Sequence, residues 1–459
     1  MLRVPTLPGS LSRVLEPFRP CFTAPTFTTF VTLVAGMVAQ PVSRTVCGML
    51  AGAGMAGVWH HSRAHRFFTS TRWHPDAVGL TVLRLIVGNL LPIGAPLTVA
   101  VDDTLFRRCG RRVYAAHWGY DGSLKVAKGN QKLSRGNTFV VAAVVVTLPF
   151  VDRPIALPVL ARLWRKGGPA KTVLARELIE AIAAATRGRS VHVVGDGAYL
   201  CTELRRLPPN ATLTGPLRSN ASLWHVHPDL DSPPRLRGRG RPRVYGTRIG
   251  TPADLAAATP AISVTATRYR RTTTVQVHHQ RCLWRGVFGA RPVRVLVLVE
   301  PGKPSLALVT TDLTTPVTII VERYAARWAI EVAFEEAKQV TGVGEARNRI
   351  REAVERTVPF GLYTQSIVIV WYHLAGHHPN VVRDRRDRAP WYTTKRHPSY
   401  LDMIVKLRRV LIAAQYQPEV PTQPTHEEIR AVRLAWAQAA ASRRNSNRVA
   451  RRESSRHTY

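Results

Sequence analysis

The sequence predicts a mixed α/β fold, and three neighbouring stretches of the chain support that prediction. Thr138–Leu148 is dense in β-branched and other apolar residues, which is typical of a buried strand. Thr172–Thr186 repeats apolar residues at helical spacing, and Val191–Val194 is a second, short apolar strand. Because strands that alternate with helices form a sheet with helices packed on it, we expect a mixed sheet flanked by helices.

The charge of the chain indicates a polyanionic partner. Its 459 residues include 65 Lys and Arg against 29 Asp and Glu, which gives a net charge of +36. Such an excess of positive charge opposes compaction of the chain unless a polyanion balances it. Double-stranded DNA is such a polyanion, and the release of its condensed counterions favours binding by a cationic protein. An anionic membrane surface is the alternative partner. The apolar content of 45% argues against a ribosomal or chromatin-packaging protein.

Cysteine usage and hydropathy predict a cytoplasmic protein with no membrane association. The five cysteines, at positions 21, 47, 109, 201 and 282, form no close pair, which argues against a zinc ribbon or a disulfide framework. No signal-peptide pattern is present at the N-terminus. Residues 83–101 are apolar but are interrupted by Arg84 and Pro92, so we expect no membrane-spanning segment. The wealth of Arg and Ala suggests a bacterial source, where the protein would associate with the nucleoid.

Residues 1–95 are expected to form a helical DNA-binding region. Its predicted helices are Thr26–Ala39, Ser43–Ala53, Ala56–Phe68 and Val78–Leu91. The third of them carries His61 and His65, whose spacing of one helical turn suits either a pair of metal ligands or a basic helix facing DNA. A third ligand is not obvious nearby, which favours the basic helix.

Two predicted strands in the first part of the core, residues 96–210, lead into acidic residues. Leu97–Val101 is followed by Asp102 and Asp103, and Val191–Val194 is followed by Gly195 and Asp196, after which a helix is expected. A carboxylate at the C-terminal end of a strand is well placed for a site in the crevice of an α/β sheet. Side chains alternate along a strand, so only one of Asp102 and Asp103 is expected to point into such a site.

Residues 211–304 are expected to form a β-rich insertion with a basic loop. Its predicted strands are Ala261–Thr267, Thr273–Val277 and Val293–Leu298. The loop, Arg237–Arg243, contains Arg239 and Arg241 and is interpreted either as a hook that enters the DNA minor groove or as a solvated basic loop. Leu306–Thr310 is expected to return the chain to the second part of the core, residues 305–380. A C-terminal helical region and basic tail, residues 381–459, follow.

A predicted helix in the second part of the core gathers ionic side chains along one stripe. At about 100° per residue, Tyr324, Arg327, Glu331 and Lys338 fall within roughly 60° of one another. One carboxylate is thus flanked by two cations and a phenol. An amphipathic surface helix with ion pairs is the simpler interpretation. The acidic residues at the two strand ends favour a functional one, because converging carboxylates repel unless divalent cations lie between them.

These residues resemble the three signature regions of bacterial insertion-sequence transposases of the DDE superfamily, which have an RNase-H-like catalytic core. The matching segments are Asp102-Asp103-Thr104, Gly195-Asp196-Gly-Ala-Tyr199, and the Tyr-x2-Arg-x3-Glu-x6-Lys pattern that begins at Tyr324. The last matches at all four positions and is the most specific. The resemblance spans roughly residues 22–415, and the long gap between Asp196 and Glu331 is similar to the family's β-strand insertion.

The resemblance implies a transposase that cuts at terminal inverted repeats and joins the 3′-ends to target DNA. It implies that Asp102, Asp196 and Glu331 bind two Mg²⁺ ions, with Mn²⁺ as a substitute, and that attack on the phosphodiester is in line. Tyr324, Arg327 and Lys338 would contact DNA near the element's end, as would Arg239 and Arg241 of the basic loop. A dimer in a synaptic complex with two DNA ends is consistent with this function.

Several assignments stay open at this stage. The family's Asp-x-Thr spacing favours Asp102 over Asp103, and the four-residue pattern favours Glu331 over Glu335, which shares its stripe. Trp284 is either a base-stacking aromatic that supports a DNA hairpin or a packed strand residue, and packing is favoured. The alternative functions are a catalytically inactive or domesticated DNA-binding relative and a stand-alone Mg²⁺-dependent nuclease.

Overall fold

The computed structural model describes residues 6–124, 130–228 and 244–415, with a few isolated positions between 430 and 439. In these segments the α-helices, labelled α1 to α13 in chain order, are Gly9–Leu15, Ala24–Ala39, Val46–Gly52, His61–Thr69, Pro75–Asn89, Lys171–Ala185, Pro252–Ala258, Arg285–Phe288, Val317–Ala326, Ala329–Glu336, Arg351–Trp371, Asn380–Arg388 and Tyr400–Gln415. The strands, β1 to β12, are Leu97–Arg107, His117–Tyr120, Leu133–Val146, Ile155–Trp164, Val191–Gly195, Ala211–Pro216, Leu223–Val226, Tyr245–Gly250, Ala261–Arg268, Arg271–Trp284, Pro292–Val299 and Leu306–Thr310.

The first five helices form a bundle against the long helix α11. Helix α2 begins with proline at an early position, where a missing N–H costs no helical hydrogen bond. It packs so closely on α3 that a Cβ on Gly36 would lie 1.7 Å from the carbonyl oxygen of Met49, so only glycine fits at that position. No helix within the described segments is long and apolar enough to cross a membrane.

The strands form one mixed sheet whose central part is built around β1. Strands β4, β3 and β1 run antiparallel to their neighbours, and β5 and β6 lie parallel to β1 on its other side. Helix α6 connects β4 to β5, while α10 and α11 pack on β4. Three antiparallel strands followed by two parallel ones form an RNase-H-like sheet flanked by helices, so the predicted fold class is confirmed.

The same sheet continues into the region predicted as an insertion. β12 pairs with β6 on one side and with β11 on the other, after which β10, β7 and β8 follow in order, with β9 paired to β10. The segment Ala211–Pro216, which the sequence analysis grouped with the insertion, is therefore a strand of the central sheet. The basic loop with Arg239 and Arg241 lies outside the described residues.

Candidate active site

The ladder between β1 and β5 brings two aspartates side by side. The last paired residues of the two parallel strands are Val101 and Gly195, so Asp102 and Asp196 follow at the same level. Neighbouring strands lie about 4.8 Å apart, which sets the spacing of the two backbones. Asp196 is exposed, and its carboxylate accepts a hydrogen bond from the Ala198 N–H at 2.5 Å.

The predictions for the backbone on both sides of these aspartates were partly wrong. Strand β1 does not end at Asp102 but continues to Arg107, because its antiparallel pairing with β3 persists to the Arg107–Gly136 pair. The parallel partner β5 does end at Gly195. No α-helix follows Asp196. Two short 3₁₀ turns, Gly197–Tyr199 and Thr202–Leu204, occupy that position.

Asp102 and Asp103 point to opposite faces of β1. The Asp103 carboxylate accepts from the Lys171 ammonium at 2.7 Å and from the Tyr199 hydroxyl at 3.2 Å, on the face covered by α6. The Asp102 carboxylate lies 3.6 Å from the guanidinium of Arg327 on the opposite face. Asp102, and not Asp103, thus shares a face with the segment that carries Glu331. Lys171 had no sequence signal, because its contact depends on the packing of α6.

The predicted continuous helix around Glu331 is interrupted. α9 ends at Ala326 and α10 begins at Ala329, with tighter i→i+3 hydrogen bonds such as Glu331 N–H to the Trp328 carbonyl at 3.2 Å. A π-turn at Ala337–Thr341 follows α10. π-Turns of this kind are frequent at functional sites, and this one carries Lys338. The prediction of one continuous helix from Tyr324 to Lys338 was therefore wrong, although Arg327 and Lys338 both still contact side chains of β1.

Arg327 bridges two of the three predicted carboxylates. Its guanidinium donates to Glu331 Oε1 at 2.9 Å and lies 3.6 Å from Asp102 Oδ2. The phenol of Tyr324 lies close by: burial raises its pKa, nearby Tyr269 and Asp196 add to the rise, and Arg327 opposes it. The sequence-predicted residues Asp102, Asp196, Tyr324, Arg327 and Glu331 thus form one electrostatically coupled group.

The carboxyl group of Asp102 has too little positive charge around it. Burial raises its pKa from 3.8 to about 7, and the carboxylates of Asp103 and Asp196 add to the rise. The Asp103 N–H and Arg327 oppose it without cancelling it. A carboxyl in this state gains from a further cation, because a divalent ion would stabilise its ionised form.

Lys338 lies further along the same face. Its ammonium donates to the Thr104 hydroxyl at 2.7 Å and sits 5.4 Å above the centre of the Phe106 ring. Burial lowers the pKa of Lys338 to about 8, which a neighbouring phosphate would raise again. The π-turn that holds Lys338 is fixed by Arg44, a fully buried side chain that donates to the carbonyls of Val340 at 2.9 Å and Thr341 at 3.1 Å. The sequence gave no indication of this contact.

Three other predicted features have definite positions. Glu335 is exposed and accepts from the Gln339 amide at 2.9 Å, away from the contact between Arg327 and Glu331. Trp284 is only 8% exposed and packs against Phe288, as favoured by the sequence analysis. His65 lies 3.4 Å from the Cys47 sulfur. Across the segments that the structure describes, no group of three His, Cys, Asp or Glu side chains is already arranged to hold a metal ion.

Comparisons with known proteins place this geometry in context. A family model described as "DDE superfamily endonuclease" matches residues 17–286, more than half of the 459-residue chain, and includes Asp102 and Asp196 but ends before Glu331. No curated protein matches the sequence. A cryo-EM structure of a piggyBac transposase synaptic complex with hairpin DNA is similar, with 13% identity over 94% of this chain and 80% of that one. The TM-score of this match is 0.40.

Proposed function

This chain belongs to the DDE superfamily of endonucleases, and we propose that it is a DNA transposase. It would cut at the terminal inverted repeats of an insertion sequence and join the 3′-ends to target DNA. The observation that carries the proposal is the grouping of Asp102 and Glu331 around the Arg327 guanidinium, with Asp196 beside Asp102 on the neighbouring parallel strand. The net charge of +36 favours DNA as the polymer that enters this site.

Asp102, Asp196 and Glu331 are the residues that would hold two Mg²⁺ ions, because carboxylate oxygens are the ligands that this ion prefers. The raised pKa of Asp102 fits that role, since the carboxyl lacks sufficient cationic charge in its surroundings. Bound ions would activate the attacking water or 3′-hydroxyl and stabilise the leaving oxygen.

Arg327 is proposed to exchange carboxylate contacts for DNA contacts. Its guanidinium is half of an ion pair with Glu331 at 2.9 Å, and its side chain is 16% exposed at the edge of the acidic group. A planar guanidinium binds phosphate oxygens in the same two-pronged manner as it binds carboxylates. Movement of Arg327 onto a DNA phosphate would free Glu331 for metal binding.

Two further proposed DNA contacts, Tyr324 and Lys338, lie along the same face. Lys338 and Tyr324 flank the acidic group, and both are partly accessible. Lys338 would contact a phosphate next to the scissile one, which restores its full positive charge. Arg239 and Arg241 remain proposed contacts of the basic loop.

The experiment that tests this function compares two active-site acid-to-amide variants with one acid-to-amide control. The substrate is the DNA that flanks the gene, cut to include its inverted repeats, with Mg²⁺ present. Asp196→Asn and Glu331→Gln should each lower the rate of cleavage by about 1,000-fold or more, while binding of the DNA end persists. Glu335→Gln, four residues from Glu331 but outside the contact with Arg327, is the matched control and should cleave normally.

The outcomes separate the alternatives. Cleavage retained by Asp196→Asn would refute the active-site assignment. End binding without any Mg²⁺-dependent cleavage by the native sequence would favour an inactive DNA-binding relative. Cleavage without joining of pre-cut 3′-hydroxyl ends to a target plasmid would favour a stand-alone nuclease.

A further inference from the structure

The edge strand β2, His117–Tyr120, presents two large aromatic side chains to solvent. Trp118 is 70% exposed and Tyr120 is 71% exposed, and as residues i and i+2 of one strand they lie on the same face. The cross-strand partner of Tyr120 is Leu133, which is also exposed. Aromatic rings of this size are normally buried, so an exposed pair indicates a binding surface.

The strand register places this aromatic pair on the same face of the sheet as Asp102. Residues paired across antiparallel strands share a face, and Trp118 pairs with Arg135 on β3. Six residues further along β3, Val141 pairs with Asp102 without any register shift between β1 and β3. Lys338 packs on this face through Thr104, between the aromatic pair and the acidic group.

The separation is suitable for a DNA strand. Six residues of strand rise correspond to about 20 Å along β3, and the offset of two strands adds about 10 Å sideways. A nucleic acid strand advances about 3.4 Å per nucleotide when its bases are stacked. The combined separation is about 22 Å, so a strand whose scissile phosphate lies at Asp102 would reach Trp118 about six to seven nucleotides away.

Positive charge is fixed next to the aromatic pair. Arg135, the cross-strand partner of Trp118, donates to the carbonyls of Gly110 at 2.5 Å and Arg111 at 2.8 Å. These bonds fix the backbone at Gly110 and Arg111 beside Arg135, and the side chains of Arg111 and Arg112 are exposed. The nearest carboxylate on this hairpin, Asp121, is paired with Arg107 at 2.6 Å, so it does not oppose an anionic ligand.

We propose that Trp118 and Tyr120, with Arg111 and Arg112, form a second DNA-contact surface that stacks unpaired bases of a strand leaving the acidic site. Unpaired bases are the ligand because their ring faces are free, whereas a duplex exposes base faces only at its ends. The combination of stacking aromatics and backbone-binding cations is the general means by which proteins hold single strands. The inference rests on the proposed function for the position of the strand, but single-strand binding itself can be measured independently.

The test measures the affinity for a fluorescein-labelled single strand of about 12 nucleotides by anisotropy, in EDTA so that no cleavage occurs. The double variant Trp118→Ala, Tyr120→Ala should bind roughly 10- to 100-fold more weakly. Trp118→Phe, Tyr120→Phe keeps both rings and should retain most of the affinity. Leu133→Ala removes apolar surface of the same patch without removing a ring, and it should bind as the native protein does.

A second readout fixes the position of the contact. A 2-aminopurine base placed about six to seven nucleotides from the cleavage site should lose fluorescence on binding, and it should not do so in the double alanine variant. Unchanged affinity in that variant, or an equal loss in Leu133→Ala, would overturn the proposal. A native dimer that the alanine variant converts to a monomer would also overturn it, by assigning the surface to a second copy of the chain. Failure of the native protein to cleave inverted-repeat DNA would refute the proposed function and leave the anisotropy result intact.

Discussion

Replacement of Arg44 by methionine should destabilise the protein by about 3–5 kcal/mol. This is the range expected when one member of a buried, charge-assisted interaction is removed and the other stays buried. The side chain is fully buried between the N-terminal bundle and the π-turn. Its guanidinium donates to the carbonyls of Pro41, Gln339, Val340 and Thr341, and its backbone N–H donates to Glu345 at 2.9 Å. Methionine preserves most of the apolar contacts and the backbone N–H, but it removes the side-chain donor from the four carbonyls, and a buried acceptor that loses its donor costs about 1–3 kcal/mol before relaxation.

The loss is measurable as a shift in melting temperature. At about 2.1 cal/mol/K per residue, unfolding of 459 residues has an entropy near 1 kcal/mol/K, so the expected fall is about 3–5 °C by differential scanning calorimetry. Arg189→Met is the matched control. Arg189 also donates to two loop carbonyls, of Pro92 at 3.0 Å and Ala95 at 2.8 Å, but water can replace it at that more accessible position. A fall of less than about 1 °C for Arg44→Met, or an equal fall for both variants, would refute the reasoning.

Three further predictions concern stability. Burial raises the pKa of Glu336 from 4.5 to about 7, so the native protein loses stability as pH rises through that interval. The free energy of unfolding of Glu336→Gln, measured relative to that of the native protein by urea denaturation, should therefore be about 2–3 kcal/mol higher at pH 8 than at pH 5. The same difference between the two proteins at both pH values would contradict this. Tyr269 has a left-handed φ of 50°, and Tyr269→Gly should stabilise the fold by about 1 kcal/mol; a lower melting temperature would show that its side chain matters more than its backbone. A Cβ on Gly79 would lie 2.1 Å from the carbonyl oxygen of Val159, so Gly79→Ala should cost at least about 2 kcal/mol as α5 is pushed from β4, and an unchanged unfolding midpoint would contradict the packing.

The sequence predicted elements well where one local pattern dominates. Leu306–Thr310 has the predicted bounds, because a short apolar run between turn residues is compatible with a buried strand of that length. The sequence prediction failed for the residues after Val101, since two consecutive Asp residues have low strand propensity. Pairing with β3 overrides that propensity, as tertiary context often does in sheets.

The candidate site divides in the same way. Periodicity indicated that Tyr324, Arg327 and Glu331 share a face. That grouping survives the break between α9 and α10 because the two residues at the break, Arg327 and Trp328, keep right-handed helical dihedral angles. The choice between Asp102 and Asp103 could be framed from strand alternation but required the position of α6 to distinguish the two faces. The Arg44 contact could not be predicted, because about 300 residues of chain separate it from the π-turn.

The double pairing of β12 has a mechanical consequence. Because β12 is hydrogen-bonded to β6 on one side and to β11 on the other, an unbroken series of paired strands connects the acidic site to the outermost strands. A hinge motion of those outer strands relative to the central strands would require backbone hydrogen bonds to break in the middle of the sheet. If the protein binds DNA as proposed, the DNA and not the sheet should therefore deform on binding. DNA sequences that are easily deformed should then be bound more tightly than stiff ones.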